Sequence, residues 1–190
     1  MDIHQLQATY QQEQDRILLR LNTRTQEEFR LWLTRRMVKN FYPHLVEVSK
    51  RMGGDAAQQV SHDGGLADAL AEFQQQESLA TADFETPYSG EANALPVGSE
   101  PLLVTQMKIS QLDDHNLHLA LEKKMADGTT SRAFEVTLGL PIIHALLHLL
   151  DMVIKSADWG LVGPTSTTPS RESSPGMDAF ETAERPQYLN

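Results

Sequence analysis

The chain contains no cysteine. Structural disulfides, thiolate metal sites and cysteine nucleophiles are therefore excluded, and a reducing compartment, the cytoplasm, is the expected location. No apolar run approaches the roughly 20 residues that span a bilayer. The first residues, MDIHQLQATYQQEQ, have neither the basic start nor the apolar core of a secretory signal. No membrane association is expected. Phosphate loops, dinucleotide glycine motifs, nucleophile elbows and paired-histidine metalloprotease signatures are also missing. The expectation is a protein without catalytic residues or cofactor.

Positive charge is scarce and unevenly placed. The 190 residues hold 16 Lys and Arg against 26 Asp and Glu, a formal net charge of −10. Residues 1–52 carry nine basic and six acidic residues, about +3, leaving about −13 for the remainder. A uniformly acidic chain makes a poor nucleic-acid binder, because phosphate contacts need clustered Lys and Arg. A basic first quarter on an acidic chain keeps a local binding patch open.

The hydrophobic pattern then sets the architecture. Alternation of period two marks strands near residues 3–10, 15–22 and 28–34. Thr34 reads as an N-cap. From Arg35 the apolar spacing becomes helical, through Met37, Phe41, Leu45, Val48 and Met52, and Pro43 should kink or interrupt that helix. GGDAAQQVSHDGG is a break. GLADALAEFQQQESLA predicts a short amphipathic helix with Leu66, Leu70 and Phe73 inward, and residues 83–100 a linker or long surface loop. Strand signals resume at 101–110, at NLHLALEKK and at SRAFEVTL, the last two joined by Asp127-Gly128, a hairpin signal. Gly139 and Pro141 open a second helix running to about Trp159. The Ser-, Thr- and Pro-rich remainder predicts disorder.

EFRLWLTRRMVKNFYPHL, from Glu28, aligns without gaps on AFEVTLGLPIIHALLHLL, from Ala133. Phe29 meets Phe134, Leu31 meets Val136, Val38 meets Ile143 and Leu45 meets Leu150. The expected fold is α+β: two antiparallel three-stranded meander-plus-helix units, a pseudo-repeat sharing one core. The units are 1–52 and 101–162, with a helix and acidic linker at 53–100 and a disordered tail at 163–190. Single-stranded nucleic-acid binders of the PUR and Whirly kind share this order of meander and helix. The likeness is one of architecture and is carried by no motif.

Three surfaces are candidates for function. Arg16, Arg20, Arg30 and Trp32 fall on the outward face of the first meander, followed by Arg35, Arg36 and Lys39 at the helix start. Such a face suits a protein partner or, in the alternative, stacked bases and phosphates. The bland reading is Arg stems packed over Trp32 with cation–π contact. His144, His148 and Asp151 stand at helical spacing in PIIHALLHLLDMVIK and could converge on a metal, with a fourth ligand from His118 or Asp113. HxxxH alone is weak, and a polar seam on a packed helix is the favoured reading. That helix is apolar around most of its circumference, which suggests packing between the halves or a homodimer interface. Arg185, Tyr188 and Leu189 end the tail as a short motif for docking on a partner. The overall expectation is a non-catalytic, homodimeric protein-interaction or assembly module. A single-stranded nucleic-acid binder is the alternative, and a metal-dependent enzyme a distant third.

Overall fold

The computed structural model describes residues 2–58, 64–81, 87–90, 93–113 and 115–161, with the backbone path alone for 54–58, 64–68, 71 and 81. Among the described residues the fold is α+β, with two sheets and three α-helices. Strands β1 (Ile3–Gln11), β2 (Arg16–Thr23) and β3 (Glu28–Thr34) form an antiparallel meander, followed by helices α1 (Arg35–Gln58) and α2 (Gly64–Thr81). A two-residue strand, β4 (Leu102–Leu103), runs parallel to β3. Strands β5 (Gln106–Gln111), β6 (Asn116–Lys124) and β7 (Thr130–Gly139) make the second antiparallel meander, and α3 (Leu140–Ser156) closes the order.

Side-chain alternation explains the sheets. Ile17, Leu19 and Leu21 on β2 and Phe29, Leu31 and Leu33 on β3 point inward, as do Leu117, Leu119 and Leu121 on β6 and Phe134, Val136 and Leu138 on β7. These twelve join Val38, Leu45, Met52, Ile143, Leu150 and Ile154 from α1 and α3 in one core. At the centre the Phe29 and Phe134 rings pack with centroids 4.5 Å apart. The local signals behave as expected at both helix starts: the Met37 amide donates to Thr34 Oγ1 at 3.3 Å, and Pro141 sits in the first turn of α3. Gly128 has φ +82°, the left-handed value its hairpin turn requires.

Several expectations need correction. Pro43 lies inside α1 without interrupting it, and α1 continues past Gly53 to Gln58. The strand expected over 101–110 is two strands. Leu102 and Leu103 pair with β3, the chain crosses between the sheets at Val104 and Thr105, and β5 then pairs with β6. The first sheet is thus four-stranded and takes its edge from the second half of the chain. The 83–100 stretch is anchored where described: Glu28 N–H donates to Ala94 O, Asn93 N–H to Gln26 O, and Val97 is buried. Phe73 is 62% exposed, while Leu70, Gln74 and Ser78 are half-buried. The packed face of α2 therefore follows 70–74–78 rather than the apolar stripe. The Leu66 side chain lies outside the described residues.

The surfaces that α3 presents are met within the chain. It packs on β1, α1 and α2, and Ile143, Leu146, Leu147, Leu150 and Ile154 are buried. The apolar circumference that called for a partner copy is largely covered intramolecularly.

Candidate functional site

The outward face of the first sheet brings together Arg20, Arg30 and a residue the sequence reading passed over, Glu28. Arg20 and Arg30 are opposite each other on β2 and β3, and Glu28 lies two residues from Arg30 on the same face. Arg20 Nη2 is 2.6 Å and Nε 2.7 Å from Glu28 Oε1. Arg30 Nε lies 3.8 Å from Glu28 Oε2, an ion pair without a hydrogen bond. Glu28 is only 4% exposed. Tyr88 closes the cluster from above. Its ring covers the Arg20 guanidinium at 4.4 Å, and its hydroxyl donates to Glu28 Oε1 at 3.2 Å. Burial, then the Glu28 charge, pushes the Tyr88 hydroxyl well above its ordinary pKa. The cation–π partner is thus Tyr88, not Trp32. Trp32 and Arg16 are half-buried on the same face. Asn22 Nδ2 extends the network to Gln5 Oε1 at 2.9 Å, while the buried Asn22 Oδ1 has no partner among the described residues. Two of the four outward residues expected to meet a partner therefore spend their charge inside the fold.

Helix α1 differs. Arg35, Arg36, Lys39, Lys50 and Arg51 all stand exposed along it. Arg35 donates to Trp159 O at 2.9 Å and Arg51 pairs with Glu47 at 3.1 Å. Arg36 and Lys39 have no ion pair among the described residues. α1 holds five basic and two acidic residues. Beside it runs a groove of about 520 Å³ between α1 and β5. Met37, Phe41, Val48, Met107 and Ile109 supply its apolar lining, and Asn40, His44, Glu47 and Arg51 its polar lining. β5 is the end strand of its sheet. The positions aligned with Asn40, His44 and Glu47 in α3 are Ala145, Leu149 and Met152, so polar groups line the groove where α3 is apolar.

The α3 stripe does not assemble as a metal centre. Lys155 Nζ binds Asp151 Oδ2 at 2.6 Å, one turn away. His144 is 3% exposed, its Nδ1 has no partner among the described residues, and burial holds its pKa below the usual 6.5. His148 is half-buried. His118 faces Glu135 at 3.7 Å on the second sheet, and Asp113 accepts from the His115 amide in its turn. No three His, Asp or Glu residues among those described are grouped to hold an ion. Arg185, Tyr188 and Leu189 lie outside the described residues.

The chain matches no family model, no curated protein and no solved structure. Its function has to be read from its own geometry.

One more cluster escaped the sequence reading. Trp159, just beyond α3, is buried, and its Nε1 donates to Asp15 Oδ1 at 2.6 Å. Tyr10 hydroxyl donates to the same oxygen at 2.9 Å, and the Tyr10 and Trp159 rings meet edge-on at 5.9 Å. These bonds, from Trp159 first and then Tyr10, hold the Asp15 carboxyl below its ordinary pKa. Asp15 adopts φ 48°, ψ 51° at the β1–β2 turn, a conformation Asp tolerates better than most residues. With the Arg35 bond, this clamp fastens the end of the described chain to the first hairpin and the start of α1. A lone Trp after a helix was the only signal available for it.

Proposed function

We propose that this protein is a non-catalytic interaction module of a reducing compartment that receives an acidic, extended protein segment in the groove between α1 and β5. The groove itself carries the reading: an apolar floor lies between an end strand and α1, a helix with five basic and two acidic residues on an otherwise acidic chain. A free edge offers unpaired backbone groups to an added strand. Arg36 and Lys39, exposed on the same helix outside the groove lining, add attraction for carboxylates at longer range and speed encounter. The nucleic-acid alternative draws less support, because Glu28 engages both Arg20 and Arg30 and offsets part of the charge of their sheet face. A homodimer also draws less support, since Phe73, Leu112, Met125 and Met152, the exposed large apolar residues among those described, are scattered over α2, two turns and α3. The two halves are part of the proposal as a pseudo-repeat. Its support is that Phe29 and Phe134, aligned with each other, are also in contact.

Peptide-library panning on the full chain tests this. Acidic sequences with apolar residues should be enriched, and Arg36→Glu/Lys39→Glu should weaken their binding about tenfold or more at low salt. Enrichment of neutral or basic sequences, or indifference to the charge reversal, rejects the reading.

A further inference from the structure

The described chain ends at the first turn of α1, the helix that forms one wall of this groove. Arg35, at the start of α1, holds Trp159 O, and the groove begins two residues along α1, at Met37. Leu161 packs against the core, so the following residues leave from a fixed point. Those residues, 162–190, contain one stretch with the chemistry the groove selects. ESSPGMDAFETAE, 172–184, has four carboxylates, no basic residue, and Met177 and Phe180 as its large apolar side chains. We infer that residues 172–184 are the groove's own ligand: they occupy the α1/β5 site in cis and must be displaced by any partner. The inference rests on the reading of the groove given above.

The distances permit it. Sixteen residues separate Leu161 from Met177, and a coil of that length has a root-mean-square span of roughly 20–24 Å. From Met37 to Arg51 along α1 is about 21 Å. A tether whose span matches the site it serves gives an effective concentration in the millimolar range. Even a weak segment then competes with a partner in trans, and the partner's apparent affinity falls by the fraction of grooves left open. Charge gives the direction: Arg36 and Lys39, exposed on the helix that walls the groove and without ion pairs among the described residues, attract a segment bearing Asp178, Glu181 and Glu184. Tyr188 and Leu189 follow Arg185 and are less suited to a basic helix.

The absence of cysteine makes the test clean. A nitroxide placed on Ala183→Cys in the full chain should broaden the amide resonances of Gln106, Met107 and Ile109 and of α1 residues 37–51. Met177→Ser/Phe180→Ser should abolish that broadening, leave the β6 and β7 resonances in place, and raise the affinity for a panned acidic peptide about fivefold or more. Broadening absent at low salt, or unchanged by the double substitution, overturns the inference. If panned acidic peptides still bind the groove in that case, the reading of the groove survives. If they do not, both fall together.

Discussion

Glu28 is the residue on which the outer face of the first sheet depends. It is buried, and two partly buried guanidinium groups lean on it. Removing one member of such a cluster leaves charge without a partner, which costs more than the pair itself contributes. Glu28→Ala should therefore destabilise by about 3 kcal/mol, the lower end of the buried-pair range because Arg20 and Arg30 remain a quarter exposed; urea denaturation measures it. His144 gives a pH dependence of known sign. Burial lowers its folded pKa below 6.5, so as pH falls through 6.5 the unfolded chain takes up a proton that the folded chain refuses. Stability should fall over that interval, and His144→Leu should flatten this limb in thermal melts across pH 5–8. A limb of equal steepness in the variant would place its origin in another group, and not in Asp15 or the other carboxylates of lowered pKa, whose contribution is lost only at more acid pH. The parity that put Arg30 and Trp32 outward also put Glu28 there, so its place was legible. Its role was not, because a period of two says nothing about which residue on a face is covered, and the cover, Tyr88, comes from 60 residues away.

Helix α1 carries a proline that its pattern should not allow. Pro43 offers no N–H, so the carbonyl four residues back, at Lys39, goes without its helical partner. Lys39 and Pro43 are both exposed, so water can take that carbonyl, which is why the helix survives unbroken. Pro43→Ala should stabilise the protein by about 1–3 kcal/mol, seen as a raised denaturation midpoint. The long strands were readable because each buries one face and shows the other, and that alternation survives whatever the sheet pairs with. β4 and β5 were not separable, since LLVTQMKI is continuous in hydropathy and the crossover at Val104–Thr105 is set by which edge lies nearest in space. The face of α2 was misread for a related reason. The helix contacts α1 and α3, and among its described side chains Gln74 and Ser78 are half-buried while Phe73 is exposed.

At the scale of the molecule, the two sheets are joined by the β4–β5 crossover, by the shared core and by the Trp159 clamp. Trp159→Ala should cost about 3–5 kcal/mol, the usual loss for a buried aromatic, and should also free Asp15 from its long-range partner and loosen the main-chain segment whose carbonyl Arg35 holds. Hydrogen exchange at the β1–β2 turn and at the first turn of α1 should then rise more than exchange in β6. If β6 and the turn respond equally, the Trp is ordinary core rather than a clamp. Two meanders and two major helices were legible from periodicity, because each unit has one apolar face and a helix to cover it. Which sheet takes which edge was not, because that depends on contacts between residues some 70 apart. The β3 edge has a consequence during synthesis. Its partner, Leu102–Val104, emerges about 70 residues after Thr34 completes the strand, which at 5–20 residues per second is roughly 4–14 s. For that interval the growing chain exposes an unprotected edge bearing Leu31 and Trp32, so yield in cells should improve when translation is slowed less than aggregation, as on cooling, or when a holdase covers the nascent hairpin.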